Sequence, residues 1–527
     1  MAHRLMPVDP VETTTRRMEV KPQNGLKRLV APAVLMAMIG CADLDVTNPN
    51  HPDTDKVLRT AADVETLIAS SFLTWWTGNM IRYPTMALST MANQTSPRWA
   101  DWGMQMYSVE PRVAINNVVG ADFGALLTTP WFVNYRANKA ANDGLQAIDH
   151  RGIQLGPDGE DSPRARAFAK LVQGMSHGMI ALLFDQGFVV PEDVDIAQDL
   201  ELVPYPDVLA QAIRSLEEAI AIAEANAFEV PPVGWIHGIT LTNQELAQVA
   251  HSFIARFLAS AARSPEERAA VDWQKVIHHA QRGVQGDFGP LRDGAAWWGG
   301  HYNTPSGSHR GHLRLLGPAD QSGEYQAWEA LQPDDRRPFL IDTDDRRITD
   351  GDPMSDGLYF RYMTSTLVPE ERGVWHQSNY FFTRWEPVRT GGAGMQIVTL
   401  TTRELRLLIA EGLYRQDDRA GAAAIVNETR VANGQLPAVT ADGTSGDRCV
   451  PRRRDGSCGD LFDALKWEKN LETMQTGTGG MYFDKRGWGD LYPGTPVHLP
   501  VPAVELIEMR LPVYTFGGDG EGSAPAW

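Results

Sequence analysis

The sequence has 527 residues, 43% of them hydrophobic and 22% charged, which excludes a disordered chain and indicates a folded globular protein. Its formal net charge of −18 opposes contact with phosphate backbones, so nucleic acid is not a predicted partner. The 15 Trp, 13 Tyr and 17 Phe residues mostly fill cores, so only aromatic residues in loops are candidates for a binding surface.

The N-terminal 40 residues have the pattern of a lipoprotein signal peptide. Lys27-Arg28 precede an apolar run that ends at Gly40-Cys41, and this run is too short to span a bilayer. Met38-Ile39-Gly40-Cys41 fits a loose bacterial lipobox, with Met where Leu is usual, which predicts a lipid on Cys41. A plain signal peptide is the alternative. The polar segment before Met18 suggests that translation starts at Met18.

Helices are predicted over much of the remaining chain from capping residues and apolar periodicity. The predicted helix starts are Thr60 with Asp63, Thr129-Pro130, Ser162-Pro163, and a capping box of Thr242 and Glu245. Further helices are expected at residues 205–225, 273–284, 405–415, 420–431 and 461–473. Successive helices of this length are typical of tetratricopeptide-like hairpins.

Five segments are expected in chain order. Residues 1–40 are the signal peptide, 41–58 a lipidated tether, and 59–288 a helical-repeat part. Residues 289–398 lose helical periodicity and are rich in Gly, Pro, Asp and aromatic residues, which predicts an irregular ligand-binding lobe with few short strands. Residues 399–527 hold a helical hairpin, a cysteine loop and a tail. The fold class is therefore all-α, with the parts after the tether forming one unit.

Cys449 and Cys458 are the only other cysteines, and they flank a polar loop with turn-forming residues. In an exported protein this spacing predicts a disulfide, and closing the loop would contribute on the order of 2–3 kcal/mol. A zinc site is disfavoured because no second pair of ligands stands nearby.

Catalytic and metal-binding motifs are missing from the sequence. It contains no HExxH, no G-x-S-x-G and no phosphate-binding loop. Aspartates at 342, 344, 345, 350, 352 and 356 could bind Ca²⁺, but without an EF-hand pattern a solvated surface is favoured. No catalytic residue, metal ligand or cofactor is predicted.

Aromatic residues in loops suggest a binding surface. A flat ring can contact the apolar face of a sugar while Asn and Arg bond its hydroxyls. We expect the ligand site where residues 98–117 meet the lobe around residues 297–302. The candidate ligand-binding residues are Trp99, Trp102, Arg112, Asn117, Trp297, Trp298 and Tyr302. Trp99 and Trp297 are the preferred stacking platforms, and core packing is the alternative for any single Trp.

Segments along nearly the whole chain after Cys41 resemble the SusD/RagB family of outer-membrane nutrient-binding lipoproteins. They are LDVTNPN (44–50), PWFVNYRANKAANDGL (130–145), RARAFAKLVQGMSHGMIALLFDQGF (164–188), LLIAEGLYR (407–415), FDKRGWGDL (483–491), HLPVPAVEL (498–506) and LPVYTFGG (511–518). The order of these segments carries the resemblance.

The resemblance implies four tetratricopeptide-like units, an irregular lobe that forms the ligand site, and no catalysis. It also implies a SusC-like TonB-dependent transporter as partner. Because ligand-contacting residues vary within the family, it supports the function class and not the individual site residues.

The leading hypothesis is a lipid-anchored, surface-exposed protein of the outer membrane that binds an oligosaccharide and delivers it to the transporter. The lipid would be its one attachment to the membrane. Capture of peptides or another polymer is the alternative. A secreted hydrolase is disfavoured by the missing motifs, and a purely structural helical scaffold would leave the aromatic loops without a role.

Overall fold

The computed structural model describes residues 58–97, 101–195, 200–301, 309–364 and 377–518. All of them lie in one unit, Thr54–Trp527. The predicted signal peptide, the Met18 start, the lipidated Cys41 and the tether up to residue 57 lie outside the described residues. None of the helices in these ranges combines the length and apolar character that a membrane span requires.

Helices dominate the architecture and are numbered here in chain order. They are α1 (Ala61–Asn79), α2 (Thr85–Met91), α3 (Ala125–Asp149), α4 (Ser162–Leu183), α5 (Tyr205–Ala225), α6 (Asn243–Ser260), α7 (Pro265–Ala269), α8 (Trp273–Gln281), α9 (Leu313–Leu316), α10 (Glu324–Ala330), α11 (Glu386–Gly391), α12 (Thr402–Arg415), α13 (Arg419–Ala432), α14 (Leu461–Glu472), α15 (Gly480–Trp488) and α16 (Ala503–Glu508).

The long helices form an array in which each packs on the next. The contacts run from α1 to α3, α4, α5, α6, α8, α12, α13 and α14 in that order. Glycines allow close approach: a Cβ on Gly144 would lie 2.2 Å from Ile68, and one on Gly78 would lie 2.6 Å from Val133. These two contacts also show that α1 and α3 are antiparallel. The predicted all-α fold of helical hairpins is confirmed.

Most predicted helix starts are correct. Thr60 with Asp63 and Thr242 with Glu245 both form capping boxes, and α5 has the predicted bounds. The predicted start at Thr129-Pro130 is wrong, because α3 begins at Ala125 and contains Pro130. Leu126 and Leu127 are buried, so their packing favours extending the helix ahead of the proline, which removes only one amide donor.

Of the eight short strands in the described residues, five lie in the helical-repeat part and three in the irregular lobe. They are β1 (Thr95–Pro97), β2 (Gln186–Gly187), β3 (Val203–Pro204), β4 (Glu229–Val230), β5 (Leu241–Thr242), β6 (His309–His312), β7 (Phe360–Tyr362) and β8 (Gln377–Phe382). The largest sheet has four antiparallel strands in the order β1-β6-β8-β7. Thus β1, from the helical-repeat part, completes a sheet whose other strands belong to the lobe.

The C-terminal part contains the predicted disulfide. Cys449 and Cys458 are bonded, which confirms that prediction. The loop that they close is attached to the lobe by hydrogen bonds from the Arg452 amide to the Pro318 carbonyl (2.7 Å) and from Gln326 Nε2 to the Arg453 carbonyl (3.2 Å). The loop therefore forms part of the lobe's surface.

Candidate functional site

The two segments predicted to form the ligand site meet at the end of α1. Strand β1, which leads to Trp102, pairs with β6, which follows the segment containing Trp298, and Thr95 lies opposite Gly311. The Trp76 indole donates a hydrogen bond to the Trp298 carbonyl (2.9 Å). The Gly300 amide donates one to the Met80 carbonyl (2.9 Å). Helix α1 and the sheet together bring these segments to one surface.

Trp102 and Trp298 flank the exposed side chain of Arg82, and we call these three residues the Arg82 cluster. The Arg82 Cζ atom lies 5.9 Å from the ring centroid of Trp102 and 5.7 Å from that of Trp298. Both indoles are half-buried, while Arg82 is exposed. The cluster therefore offers apolar ring surface beside a guanidinium with several hydrogen-bond donors.

The backbone at Trp102 is in a conformation that residues with a side chain rarely adopt. Trp102 has φ 55° and ψ 27°, in the left-handed region, and Gly103 follows with φ 73°. A Cβ on Gly103 would lie 2.8 Å from the buried ring of Tyr107, so this turn depends on glycine. Such backbone strain is found preferentially at ligand sites, where the surrounding structure maintains it.

Trp297 and its neighbour Trp298 occupy different environments. Trp297 is 7% exposed, and its ring lies 5.8 Å from that of Trp76 and 6.1 Å from that of Phe72. Its amide donates to the Asp293 carboxylate (2.9 Å). Burial raises the pKa of Asp293, but amide donors outweigh burial and leave that pKa below its usual value. Trp297 thus anchors the loop in the core. Its burial supports the alternative of core packing and not the predicted role as a stacking platform.

Arg112 and Asn117 are buried and bonded within the protein. Arg112 is 4% exposed and donates to Thr495 (3.0 Å) and to Asn93 (2.7 Å). Burial lowers its pKa to about 10. Asn117 donates to the carbonyls of residues 501 and 514 and accepts from the amide of residue 503. The prediction that these two side chains bond ligand hydroxyls has no support here, because protein groups already occupy their polar atoms.

Trp99 and Tyr302 lie outside the described residues, so their predicted roles stay predictions. Of the remaining candidates, Trp102 and Trp298 are brought together. Arg82 was missed by the sequence interpretation, which considered only residues 98–117 and 297–302. The one hint in the sequence is that Arg82 lies between the helix containing Trp75-Trp76 and a proline. No pattern near Arg82 predicts that Trp102 and Trp298 flank it.

No protein-family model and no curated protein matches the sequence. Solved structures match over most of the chain. A SusD superfamily protein from Bacteroides vulgatus has a TM-score of 0.51 at 12% identity, over 82% of this chain and 89% of that one. A SusD-like protein from Bacteroides fragilis has 0.52 at 13% identity, over 89% and 99%. A SusD homolog from Parabacteroides distasonis has 0.51 at 12% identity, over 80% and 84%.

This chain has a SusD-like fold. The resemblance read from the sequence is therefore supported at the level of the fold, and the helical array with its loop-rich lobe is the SusD-like arrangement. At these low identities, the likeness says nothing about ligand or partner.

Most of the aspartates considered for Ca²⁺ belong to ion pairs. Arg448 contacts Asp342 (3.0 Å) and Asp344 (2.9 Å) on the surface. Asp345 is buried and contacts Arg347 at 2.7 Å. Within the described ranges, no three His, Cys, Asp or Glu side chains are grouped in a way that could hold a metal ion. Asp356 lies 3.8 Å from Arg361, so four of the six aspartates have arginine partners.

Proposed function

We propose that this protein binds an oligosaccharide at the Arg82 cluster and delivers it to a SusC-like TonB-dependent transporter. It would do so as a lipid-anchored protein on the surface of the outer membrane. The observation that carries the proposal is the placement of the cluster on a SusD-like fold, where the helical array meets the irregular lobe.

The chemistry of the cluster suits a sugar. Indole rings contact the C–H face of a pyranose and lose little conformational freedom on binding. Arg82 can donate to several hydroxyl or ring oxygens, and its exposed side chain has the freedom to do so. This arrangement binds without supplying an acid–base pair, so the proposed role is capture and not turnover.

The test is a binding screen with neutral and acidic oligosaccharides and with peptides, measured by calorimetry. We expect Trp102→Ala and Trp298→Ala each to weaken oligosaccharide binding roughly threefold to tenfold without changing the melting temperature. Tyr414→Ala is the matched control, because Tyr414 is also half-buried under an arginine, with Arg419 at 5.4 Å.

Three outcomes would contradict this assignment. If Trp102→Ala, Trp298→Ala and Tyr414→Ala all bind the oligosaccharide with the same affinity, the ligand binds elsewhere. Binding of peptides alone would favour the alternative cargo. Release of shortened sugars during the titration would indicate a hydrolase.

A transporter needs a docking surface, and we place it on the two segments that Asn117 joins, residues 118–119 and residues 507–513. Its exposed residues are Val118, Val119, Ile507, Leu511 and Val513, from 41% to 65% exposed. Scattered apolar residues are normal on a surface, but grouped ones indicate an interaction site. We expect Val119→Asp to abolish co-purification with a SusC-like TonB-dependent transporter that is produced in the same cells. Leu358→Asp, equally exposed at 59%, should not; loss with both variants would contradict the assignment.

Lipidation is tested independently of binding. Mass spectrometry of the membrane fraction should find a modified N-terminal Cys41, and Cys41→Ala should release the protein from the membrane. An unmodified mature N-terminus at another residue would rule out the anchor while leaving the ligand site untouched.

A further inference from the structure

A cavity of about 70 Å³ lies beside the disulfide loop, and none of its lining residues belongs to the Arg82 cluster. Its walls come from α9, α10, α14, α15 and the loop between Cys449 and Cys458. The volume holds several water molecules or a small ion. The residues that matter for its chemistry are Arg314, Arg452, Arg454, Asp463, Lys466, Asn470, Lys485, Asp490 and Tyr492.

The walls of this cavity are cationic although the chain as a whole is acidic. Five Arg or Lys side chains line it, against two Asp side chains. Both carboxylates lie near one of these cations, since Lys466 contacts Asp490 (3.1 Å) and Asp463 (3.7 Å). Arg314 is neutralised by glutamates outside the cavity. Arg454 lies 3.9 Å from Glu329, so the remaining positive charge in the walls comes from Arg452 and Lys485.

Lys485 is the more buried of these two cations. It is 8% exposed, and among the described residues its ammonium group has one acceptor, the Ala92 carbonyl at 2.8 Å, and no carboxylate in an ion pair. Burial lowers its pKa to about 8. A buried ammonium with three donors and one neutral acceptor is costly, so a further acceptor in the cavity would stabilise it.

Other donors in the walls also lack protein partners. Arg452 donates to the Asp447 carbonyl, but its buried Nε atom has no partner in the described part of the chain. The Asn470 amide and the Tyr492 hydroxyl line the cavity without a hydrogen bond to any described residue. The Tyr492 ring is held between Arg112 (5.0 Å) and Arg314 (4.8 Å), which fixes its position.

We propose that this cavity binds a small oxyanion, either a free phosphate or sulfate ion or the carboxylate of an acidic sugar, with Lys485 as its central cation. The oxyanion supplies the acceptors that the ammonium, guanidinium, amide and hydroxyl groups lack. This site is independent of the proposed oligosaccharide site, since none of its residues belongs to the Arg82 cluster.

The test measures melting temperature and calorimetric affinity of the whole mature protein at neutral pH and constant ionic strength. Sodium phosphate, sulfate and glucuronate are compared with chloride. We expect at least one oxyanion to raise the melting temperature in a saturable way that chloride does not reproduce. A response to phosphate or sulfate identifies a site for free ions, and a response to glucuronate alone identifies one for acidic sugars.

Variants locate the effect in the cavity. Lys485→Met should abolish the response while leaving the melting temperature in chloride unchanged or higher, because it removes an uncompensated buried charge. Arg452→Gln should weaken the affinity by about tenfold. Arg448→Gln, a nearby surface arginine outside the cavity, should bind as the wild type does.

The proposal is overturned if no oxyanion stabilises the protein more than chloride, which would mean that water alone fills the cavity. It is also overturned if Arg452→Gln and Arg448→Gln bind with equal affinity. That comparison decides the matter even if Lys485→Met fails to fold.

Discussion

The helical array and the irregular lobe are stabilised by different interactions. In the array, helices approach through small residues: a Cβ on Gly178 of α4 would lie 2.0 Å from the Phe257 ring of α6. In the lobe, Arg347 is fully buried and contacts Asp345 (2.7 Å), Glu468 (2.6 Å) and Glu472 (3.1 Å). Close apolar packing is prominent in the array, which also holds the buried Arg268–Glu411 ion pair, and a buried charge network connects the lobe to α14.

This difference explains which interactions fix the backbone conformation of each region. Helices carry their own backbone hydrogen bonds and need only an apolar face to pack. A segment with few regular elements must bond its polar groups elsewhere, and the lobe does so through side chains far away in sequence. The charged network orders the lobe in place of a continuous apolar stripe.

The largest effect is expected for Arg347→Met in the lobe. The substitution leaves three buried carboxylates without their main partner, which should lower the free energy of unfolding by about 3–5 kcal/mol. Urea unfolding measures this. Arg448→Met removes an arginine whose partners are exposed, and it should cost about 1 kcal/mol or less. If both variants lose the same stability, the buried network does not order the lobe.

The next effect concerns the junction of the two regions, where Trp297 and Trp298 differ. Trp297→Ala should reduce the free energy of unfolding by roughly 3 kcal/mol, because it leaves a cavity beside Phe72 and Trp76. Trp298→Ala should leave thermal unfolding nearly unchanged. A strong loss of stability in both variants, with ligand affinity intact, would make Trp298 a core residue and remove it from the proposed site.

A smaller effect is expected for Gly178→Ala in the array. The added methyl group overlaps the Phe257 ring, and the required shift should cost about 1–3 kcal/mol. Gly286→Ala is the matched control, since no heavy atom lies within 4 Å of its added Cβ. Thermal unfolding of both variants distinguishes close packing from a general effect of glycine replacement.

The smallest effect concerns acid stability in the array. His251 of α6 and His279 of α8 share a hydrogen bond between their Nδ1 atoms (2.8 Å). Burial lowers the pKa of His251 to about 4 and that of His279 to about 3, and the charges of Arg282 and His278 contribute in both cases. An unfolded histidine has a pKa of about 6.5 and binds a proton that the folded pair does not.

Stability should therefore fall as the pH decreases from about 6.5 to about 4. In His279→Asn this fall should be shallower, because one buried imidazole is gone. The exposed His150→Asn should keep the wild-type slope of melting temperature against pH. Equal slopes in all three proteins would exclude the histidine pair as a source of acid sensitivity.

Much of the fold could be predicted from the sequence, whereas little of the site could. The capping boxes at Thr60 and Thr242 and the bounds of α5 follow from side chains within a few residues. The predicted start of α3 at Thr129-Pro130 is wrong, because burial of Leu126 and Leu127 outweighs the tendency of a proline to begin a helix. The site residues depended on distant contacts, which is why Arg112 and Asn117 were assigned to ligand although they bond to residues 495–514.

The sequence by itself determined most of the long helices, the Cys449–Cys458 disulfide and the all-α class, because capping, periodicity and short loop closure act between neighbours along the chain. Only the tertiary structure decided that Trp298 and not Trp297 reaches the surface, that Arg82 lies between two tryptophans, and that Lys485 lines a cationic cavity. These features are decided by packing between residues that are not neighbours along the chain. Burial, which gives each side chain its role, is a property of that packing.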